Sequence, residues 1–353
     1  MTQTSELAQT RADPPDPERL EAWLAAAVPG LDGPMTLTRI TGGQSNPTWR
    51  VETPGRSLVL RAKPPGALLP SAHAVDREFR VMRALAGSGV PVPEVLALCE
   101  DQSVIGRTFY VMEDVPGRVL YDPRLPGMTR AERAAVFDDM NRVIAQLHSR
   151  SPAALGLDDF GRHGAYMARQ VARWTKQYRA SETAPNPAME TLISWLPDHM
   201  PEERAVGVIH GDFRLDNLML HPTEPRIVAV LDWELSTLGD PMADFAYHAL
   251  AWRVSPDLFR GLAGEDLAAL GIPDEESYLA RYLARTGQPR PGDWTFYLVF
   301  SLFRIAAILQ GVAKRAEDGT ASDPRASETG ALARPLSERA WALAREAGAR
   351  TPG

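Results

Sequence analysis

Residues 208–220 constrain this chain most, because a polar segment there lies between two short apolar runs. The sequence is Val-Ile-His-Gly-Asp-Phe-Arg-Leu-Asp-Asn-Leu-Met-Leu. The apolar ends predict two small strands, and the polar middle predicts a loop held between them. Another apolar run at residues 226–231 predicts a strand that ends at Asp232. The fold must therefore present two strand ends, each of which is followed by an aspartate.

Asp212 and Asn217 have the spacing Asp-x-x-x-x-Asn. This is the spacing of a phosphotransferase catalytic loop, in which the aspartate deprotonates an acceptor hydroxyl and the asparagine binds a metal ion. Asp232 adds a second carboxylate, so the set supplies one base and two Mg²⁺ ligands. In a simpler interpretation, His-Gly-Asp is a turn whose aspartate bonds its own backbone. The joint pattern of strand, loop, strand and second aspartate favours catalysis.

Two other classes of function use the same residues. A catalytically silent nucleotide-binding module is one, although such a module needs none of Asp212, Asn217 and Asp232. A metallohydrolase that uses His210 with the two aspartates is the other. We expect His210 instead to pack in the loop and bond its backbone, as a histidine before a catalytic aspartate more often does.

The composition is that of an ordinary soluble globular protein with room for two large cores. The chain has 353 residues, of which 44% are hydrophobic and 24% are charged. Its net charge of −7 leaves no basic excess to neutralise nucleic-acid phosphates. The single cysteine, Cys99, excludes an internal disulfide and a cysteine-based metal cluster. We therefore expect a cytoplasmic protein without a nucleic-acid partner.

No segment predicts membrane attachment. Residues 1–16 lack the basic region of a signal peptide and are expected to be a disordered lead-in. The apolar run at residues 296–309 is interrupted by Arg304 and is too short to span a bilayer. We expect no membrane partner, and the sequence leaves the oligomeric state open.

The first part of the chain predicts a small sheet with one helix. Strands are expected at 35–40, from residue 49, and at 58–63, 94–100 and 107–115, with a helix at 73–86. A glycine-rich turn that contains Gly43, Ser45 and Asn46 joins the first two strands. Glycine permits the close backbone approach that phosphate binding requires. An ordinary hairpin turn fits these residues equally well.

Two basic residues lie on the third predicted strand. Strand alternation places Arg61 and Lys63 on one face, and the helix that follows carries Glu78. A basic side chain paired with a helix glutamate would hold nucleotide phosphates, although a solvent-facing salt bridge is the simpler interpretation. The sequence leaves open which of Arg61 and Lys63 takes this role. Farther on, the backbone around Glu113 and Val115 follows a buried strand and could bond a purine.

The rest of the chain is predicted to be mainly helical, so a nucleotide-binding lobe at 17–115 would precede a catalytic and acceptor-binding lobe at 116–353. Helices are expected at about 17–29, 129–149, 163–180, 186–200, 241–252, 274–287, 291–317 and 332–347. Asp240 and Pro241 mark a helix start, and Asp244 one turn later is expected to brace the catalytic loop.

A basic face runs along the predicted helix at 163–180. Arg169, Arg173 and Lys176 recur there at helical spacing. A solvated surface is the simpler interpretation of such a face, and an anion-recognising wall of the acceptor site is the alternative. At the end of the helix at 129–149, His148 is interpreted as a residue that the helix dipole favours.

These residues resemble the aminoglycoside phosphotransferase-like (APH) family over about residues 35–310. The stretch from His210 to Asn217 looks like its catalytic loop, and Asp232 with its neighbours looks like the counterpart of the kinase D-F-G. The stretch from Leu60 to Glu78 more narrowly resembles the kinase-like domain of acyl-CoA dehydrogenase family members 10 and 11. In this stretch Arg61 stands where a lysine is usual.

The resemblance implies an α+β, bilobal protein-kinase-like fold with a small antiparallel-sheet N-lobe and a larger helical C-lobe. It also implies a Mg²⁺-dependent transfer of the γ-phosphoryl group of ATP (or GTP) to a small-molecule hydroxyl. Asp212 would be the base, Asn217 and Asp232 the Mg²⁺ ligands, and Arg214 a neutraliser of the transferring group. The acceptor would be a hydroxyacyl-CoA or an aminoglycoside-like molecule, and the basic face favours an anionic one.

Overall fold

The structure is a computed structural model that describes residues 15–31, 33–40, 46–64, 74–202, 206–321 and 323–349. The chain divides into two compact units. The first unit runs to Arg118 and includes the later segment Val228–Ser236. The second unit holds Val119–Ile227 and the chain from Thr237 onward. Asp232 therefore belongs to the first unit, whereas Asp212 and Asn217 belong to the second.

The strands of the described residues are β1 Thr36–Arg39, β2 Thr48–Thr53, β3 Arg56–Ala62, β4 Val95–Cys99, β5 Phe109–Glu113, β6 Arg118–Val119, β7 Gly207–Ile209, β8 Leu218–Leu220, β9 Ile227–Val230 and β10 Thr237–Gly239. Short 3-10 helices lie at Leu215–Asn217, Trp233–Leu235 and Leu250–Arg253.

The α-helices are α1 Pro17–Ala27, α2 Val75–Leu85, α3 Gln102–Ile105, α4 Arg130–His148, α5 Tyr166–Ser181, α6 Pro187–Asp198, α7 Pro241–Ala249, α8 Pro256–Phe259, α9 Leu267–Leu270, α10 Glu275–Thr286, α11 Trp294–Glu317, α12 Ala326–Ala331 and α13 Ala333–Glu346.

The first unit is built on a sheet of strand order β1-β2-β3-β5-β4, in which every neighbouring pair is antiparallel. Side chains of β3 alternate between the two faces. Leu58, Leu60 and Ala62 join the buried cluster that also contains Leu20 and Leu24 of α1. Arg61 therefore points to the opposite face, where α2 supplies its partner.

The second unit is built around α11. This helix packs against α5, α7, α12 and α13, and every residue from Phe296 to Ala307 is buried. Among the described residues it is the helix that is long and apolar enough to cross a membrane, and 78% of its apolar window is buried inside the protein. The core helix of a globular unit has the same composition, so length and composition alone do not indicate a membrane span here.

The predicted α+β class is confirmed, because a five-stranded antiparallel sheet forms the first unit and helices dominate the second. The long helices begin where sequence signals indicate. Thr129 and Glu132 form a capping box at α4, and Asp240 caps α7 with Pro241 in its first position. The short helices α3, α8, α9 and α12 were not predicted, because one turn of helix is too short to show a periodic pattern.

A buried histidine lies in the aromatic core of the second unit. His248 of α7 is 8% exposed, and its Nε2 lies 2.7 Å from the Tyr278 hydroxyl. Burial disfavours the imidazolium and lowers the pKa of His248 to about 4. The unfolded chain takes up this proton near pH 6.5. The contribution of His248 to stability is therefore complete above pH 6.5 and is lost as the pH falls toward 4.

We expect His248→Gln to reduce the acid sensitivity of folding, because glutamine does not titrate. Between pH 7.5 and 4.5 the wild-type protein should lose roughly 2–3 kcal/mol more unfolding free energy than the variant. Urea unfolding followed by tryptophan fluorescence measures the difference. His163→Gln, at an exposed position, is the control and should keep the wild-type pH dependence. Equal losses in the wild type and His248→Gln would contradict the prediction.

Candidate active site

The predicted strand, loop and strand around residues 208–220 are present. β7 leads into the loop, a 3-10 turn at Leu215–Asn217 closes it, and β8 leads out. β10 holds β7 by antiparallel pairing, with Leu238 opposite Val208. Inside the loop the Asp212 N–H donates to His210 Nδ1 at 3.2 Å. His210 is fully buried and bonds the loop backbone, as expected.

Asp244 braces the start of this loop from α7. Its two carboxylate oxygens accept the backbone N–H groups of His210 at 2.8 Å and of Gly211 at 2.9 Å. The predicted bracing role is therefore confirmed. Burial alone would raise the pKa of Asp244, but hydrogen bonds and charges from His148 and His210 bring it below its usual value. Asp244 is thus an ionised anchor for two backbone donors.

His148 is a part of this anchor that the sequence did not predict. Its Nε2 lies 3.1 Å from Asp244 Oδ2, and its Nδ1 lies 2.7 Å from the Tyr282 hydroxyl. The interpretation of His148 as a residue placed by the helix dipole misses this role, because the side chain is buried between two partners. Its position at the end of α4 gave no sign of Asp244, which lies 96 residues later.

The carboxylate of Asp212 is held on both of its oxygens. Oδ1 accepts the Tyr247 hydroxyl at 2.5 Å, and Oδ2 accepts Asn217 Nδ2 at 2.9 Å. Asn217 Nδ2 also donates to the Asp212 carbonyl at 2.9 Å. The structure therefore brings the predicted base and the predicted metal ligand of the loop into direct contact. Tyr247 was not predicted.

Arg214 lies between two carboxylates of the loop. Its Nε is 3.4 Å from Asp212 Oδ2 and 3.1 Å from Asp216 Oδ1, and its side chain is 35% exposed. Arg260 makes a further close ion pair with Asp216. The guanidinium of Arg214 is thus beside the candidate base, at the solvent-facing side of the loop.

Arg304 of α11 reaches the same loop from the core. Its Nη2 donates to the Gly211 carbonyl at 2.6 Å. The guanidinium lies 4.9 Å from the ring centroid of Tyr247 and 5.4 Å from that of Trp174. Such contacts contribute about 2 kcal/mol when desolvated, and Arg304 is only 8% exposed. The sequence did contain a signal, because Arg304 interrupts an apolar run of a core helix.

A cavity within the second unit is lined by two residues that contact Asp212, namely Arg214 and Tyr247. It has a volume of about 70 Å³. Its apolar lining includes Phe137, Met140, Leu250, Trp252, Val254, Phe259 and Ile305, and its polar lining includes Arg214, Asp216, Tyr247 and Arg260. Arg214 and Tyr247 therefore border both the candidate base and an apolar recess.

In the first unit, Arg61 joins the predicted helix glutamate to the predicted strand-end aspartate. Its Nε lies 2.9 Å from Glu78 Oε2, and its Nη2 lies 2.5 Å from Asp232 Oδ1. Burial alone would lower the pKa of Arg61, but the charges of Glu78, Tyr110 and Asp232 raise it above its usual value. Lys63 instead pairs with Asp76 at 3.0 Å, near the surface.

Glu78 is the buried centre of this group. Its Oε1 accepts Asn46 Nδ2 at 2.7 Å, and its Oε2 accepts the Tyr110 hydroxyl at 3.1 Å. Burial raises the pKa of Glu78 to about 7, against the opposing effect of the Arg61 charge. Asn46, predicted to lie over phosphates, thus contacts the helix glutamate. Gly43 and Ser45 of the same turn lie outside the described residues.

Asp232 has a backbone conformation that is rare for a residue with a side chain. Its φ is 64° and its ψ is 60°, in the left-handed region. For a residue other than glycine this costs about 1–2 kcal/mol, and such strain is concentrated at functional sites. The 3-10 turn that follows is anchored by the Trp233 indole, which donates to the Val230 carbonyl at 2.9 Å. The local fold therefore maintains the strained aspartate.

The predicted purine-binding segment follows β5. The Glu113 N–H donates to the Glu94 carbonyl at 2.8 Å, so this donor is already used inside the sheet. Val115 lies two residues past the strand end and is half-buried. The Glu113 N–H is therefore not available for the predicted purine contact, which stays a prediction for the other backbone groups around Glu113 and Val115.

The chemistry of the side chains fits a magnesium ion. Asn217 donates from Nδ2 to the carbonyl and the carboxylate of Asp212, so its carboxamide oxygen is the atom suited to bind a cation. Asp232, 33% exposed, adds a carboxylate. Mg²⁺ prefers such oxygen ligands, few from protein and the rest from phosphates and water. The described residues contain no cluster of three or more His, Cys, Asp or Glu side chains suited to a metal ion.

The basic residues of α5 differ from one another in their contacts. Arg169 donates to the backbone carbonyls of Arg162 and His163. Arg173 lies over the Trp174 ring, and burial together with the Arg304 charge lowers its pKa. Lys176 is exposed. Arg173 is thus the member of the face that lies near the Arg304 charge.

Comparison with known proteins identifies the relatives of the chain. A sequence profile of the phosphotransferase enzyme family (APH) matches residues 36–295. Acyl-CoA dehydrogenase family member 10 of Mus musculus is 52% identical over 320 residues, which are 90% of this chain and 30% of the mouse protein. Family member 11 of Rattus norvegicus is 42% identical over 339 residues, 94% of this chain and 43% of the rat protein. The chain thus spans less than half of each relative.

Several solved structures are also similar to this chain. A Ralstonia eutropha protein provisionally described as an aminoglycoside phosphotransferase is 56% identical, with a TM-score of 0.88 over 94% of this chain and 99% of that chain. A choline kinase from Cryptosporidium parvum has a TM-score of 0.65 at 13% identity, over 94% of this chain and 96% of its own. Aminoglycoside phosphotransferase APH(4)-Ia, in complex with AMP-PNP and hygromycin B, has a TM-score of 0.58 at 18% identity, over 93% and 99%.

The likenesses below 25% identity concern the fold alone, and they confirm the predicted protein-kinase-like class. The family profile covers most of the chain, and the Ralstonia eutropha protein is covered almost completely. The chain therefore belongs to the phosphotransferase enzyme family.

Proposed function

We propose that the protein transfers the γ-phosphoryl group of ATP (or GTP) to a hydroxyl of a small molecule, with Mg²⁺ and with Asp212 as the base. The proposal is based on one observation. The Asp212 carboxylate is held on both oxygens by Tyr247 and Asn217, and Tyr247 together with Arg214 also lines a cavity. A carboxylate with this fixed orientation is suited to accept a proton from a bound hydroxyl.

The proposed step balances in the following way. The acceptor O–H bond breaks and its proton goes to Asp212, while the acceptor oxygen forms a bond to the γ-phosphorus. The bond between this phosphorus and the bridging oxygen breaks, and the nucleoside diphosphate leaves with that electron pair. Such a transfer depends mainly on positioning and charge stabilisation. Arg214, already beside Asp212, would stabilise negative charge on the transferring group.

The nucleotide would be held by the two metal ligands, by Arg61 and by the segment after β5. Asn217 and Asp232 would supply oxygens to Mg²⁺, which neutralises charge on the phosphates. Arg61 would contact the phosphates, with Glu78 and Asn46 behind it. The backbone around Glu113 and Val115 would bond the purine. AMP-PNP bound to APH(4)-Ia supports a nucleoside triphosphate as the donor in this fold.

We expect Asp212→Asn to reduce kcat about 10²- to 10⁴-fold while nucleotide affinity stays within about threefold, because the base does not hold the nucleotide. Removal of Mg²⁺ by EDTA should abolish turnover of the wild type and weaken nucleotide binding. Coupled measurement of nucleoside diphosphate release and calorimetric titration of AMP-PNP give the two quantities. A wild-type protein that binds nucleotide with Mg²⁺ but never consumes it would instead indicate a silent binding module.

Arg61 and Lys63 can be distinguished by matched variants. Arg61 is 13% exposed and pairs with Glu78 and Asp232, whereas Lys63 pairs with Asp76 near the surface. We expect Arg61→Gln to raise the KM for ATP tenfold or more, and Lys63→Gln to change it less than about threefold, since exposed ion pairs contribute little. Steady-state kinetics at saturating acceptor test this, and the reverse order would assign the phosphate contact to Lys63.

The cavity favours an acceptor with an apolar part. Among the described residues that line the cavity, Asp216 alone carries a carboxylate. This carboxylate already pairs with Arg214 and Arg260. A polycationic aminoglycoside would find little free negative charge there, whereas an alkyl group matches the mostly apolar wall. The relatedness to acyl-CoA dehydrogenase family members is compatible with a hydroxyacyl-CoA. An aminoglycoside, as bound by APH(4)-Ia, is the alternative.

A panel of acceptors decides between these two. We expect ATP consumption with medium-chain hydroxyacyl-CoAs and none above background with aminoglycosides. Ala251→Leu narrows the cavity and should raise the KM for the acyl acceptor about fivefold or more, with the KM for ATP unchanged. Ala269→Leu, at an exposed position on α9, is the matched control. Consumption driven by aminoglycosides alone would overturn the acyl assignment.

A further inference from the structure

We propose that Tyr247 and Arg304 form one positioning unit that sets the orientation of the Asp212 carboxylate. This inference rests on the proposed function, because it assigns a role relative to the proposed base. Neither residue belongs to the loop motif. Tyr247 comes from α7 and lies 35 residues after Asp212, and Arg304 comes from α11 and lies 93 residues after Gly211.

Tyr247 controls one oxygen of the base. Its hydroxyl donates to Oδ1 at 2.5 Å, while Asn217 occupies Oδ2 at 2.9 Å. Two donors on different oxygens fix the plane of a carboxylate, which a single donor does not. Each oxygen has two lone pairs, so a lone pair still remains for the proton of an acceptor. The carboxylate is thus oriented without being blocked.

Tyr247 remains a donor at any ordinary pH. Its side chain is 8% exposed, and burial raises its pKa above the usual value. The charge of Asp212 raises the pKa further, although Arg214 and Arg304 oppose this. The hydroxyl therefore keeps its proton at neutral pH and remains the donor to Asp212 Oδ1.

Arg304 fixes the tyrosine and the loop together. Its guanidinium stacks over the Tyr247 ring at 4.9 Å, and its Nη2 donates to the Gly211 carbonyl at 2.6 Å. Gly211 directly precedes the base, and Tyr247 directly contacts it. One buried cation therefore holds the backbone on one side of Asp212 and the ring of its hydrogen-bond donor on the other. Among the described residues, Nε of this guanidinium has no hydrogen-bond partner.

The arrangement assigns positioning, and not proton transfer, to both residues. Neither would touch the reacting atoms, and each acts through Asp212. Loss of orientation lowers the fraction of bound complexes in which the hydroxyl meets the base, and this appears in kcat. Binding of nucleotide and acceptor does not depend on that orientation. A split between kcat and KM is therefore the expected signature.

The test is a double-mutant cycle between Tyr247→Phe and Asp212→Asn. We expect Tyr247→Phe alone to reduce kcat 10- to 100-fold, with the KM for ATP and for the acceptor within about threefold. In the Asp212→Asn background the same change should alter the residual rate less than twofold, because its effect passes through the carboxylate. A structural defect alone would lower both backgrounds equally. Single-turnover loss of the γ-phosphoryl group from ATP is the readout, with water as the acceptor if the panel yields none.

Arg304 is tested by a pair of variants. Arg304→Met should reduce kcat at least as much as Tyr247→Phe does. Arg304→Lys keeps the charge over the ring, and its kcat should be at least fivefold higher than that of Arg304→Met. Tyr278→Phe removes a comparable buried hydroxyl contact, to His248 instead of Asp212, and should leave kcat within twofold. Thermal unfolding of each variant reports the folded fraction.

The outcomes separate the two proposals. Full activity of Asp212→Asn would overturn the proposed function itself. An inactive Asp212→Asn together with a fully active Tyr247→Phe would leave the proposed function standing and overturn the positioning role. Equal effects of Tyr247→Phe in both backgrounds, or equal loss in Arg304→Lys and Arg304→Met, would also overturn it.

Discussion

The two hydrogen bonds from the backbone of His210 and Gly211 to the Asp244 carboxylate are the interaction on which the rest of the site depends. A buried carboxylate is costly unless its oxygens are satisfied, and here two backbone donors and His148 satisfy them. The same bonds determine where the chain enters the loop. Removing Asp244 would leave two buried N–H groups without acceptors, so the loop geometry and the stability of α7 are coupled.

Each of the two units holds carboxylates in place, but with different partner groups. In the second unit, the Asp212 carboxylate is held by a phenol, a carboxamide and a guanidinium. In the first unit, Arg61 lies between Glu78 and Asp232, and the glutamate is buried against Asn46 and Tyr110. A guanidinium serves this second arrangement well, because its planar group donates in two directions at once. A lysine ammonium in its place would not hold its donors in two fixed directions.

Most parts of the site that sequence reasoning predicted are close together along the chain, and Asp244, which braces the loop across 33 and 34 residues, is an exception. Asp212 and Asn217 lie five residues apart in one loop, and Asp240 caps the helix that begins at the next residue, so spacing alone indicated them. Tyr247, Arg304 and His148 were missed because each meets its partner across 35 to 96 residues. No periodic sequence pattern indicates a contact between residues so far apart along the chain. The choice between Arg61 and Lys63 also required the structure, since both side chains follow the same strand.

The long helix α11 contacts the N-cap of α7 and the loop before Asp212 through two side chains that share one helical face. Tyr297 donates to Asp240 at 2.7 Å, and Arg304, seven residues later, donates to Gly211. Seven residues are almost two complete turns, so both side chains project in nearly the same direction. The rotational orientation of this core helix is therefore coupled to the candidate active site. Inserting one residue between Trp294 and Arg304 would turn the guanidinium by about 100° away from Gly211, although the apolar content of the helix would hardly change. In this chain a length change is thus far more tolerable in the loops than in this helix.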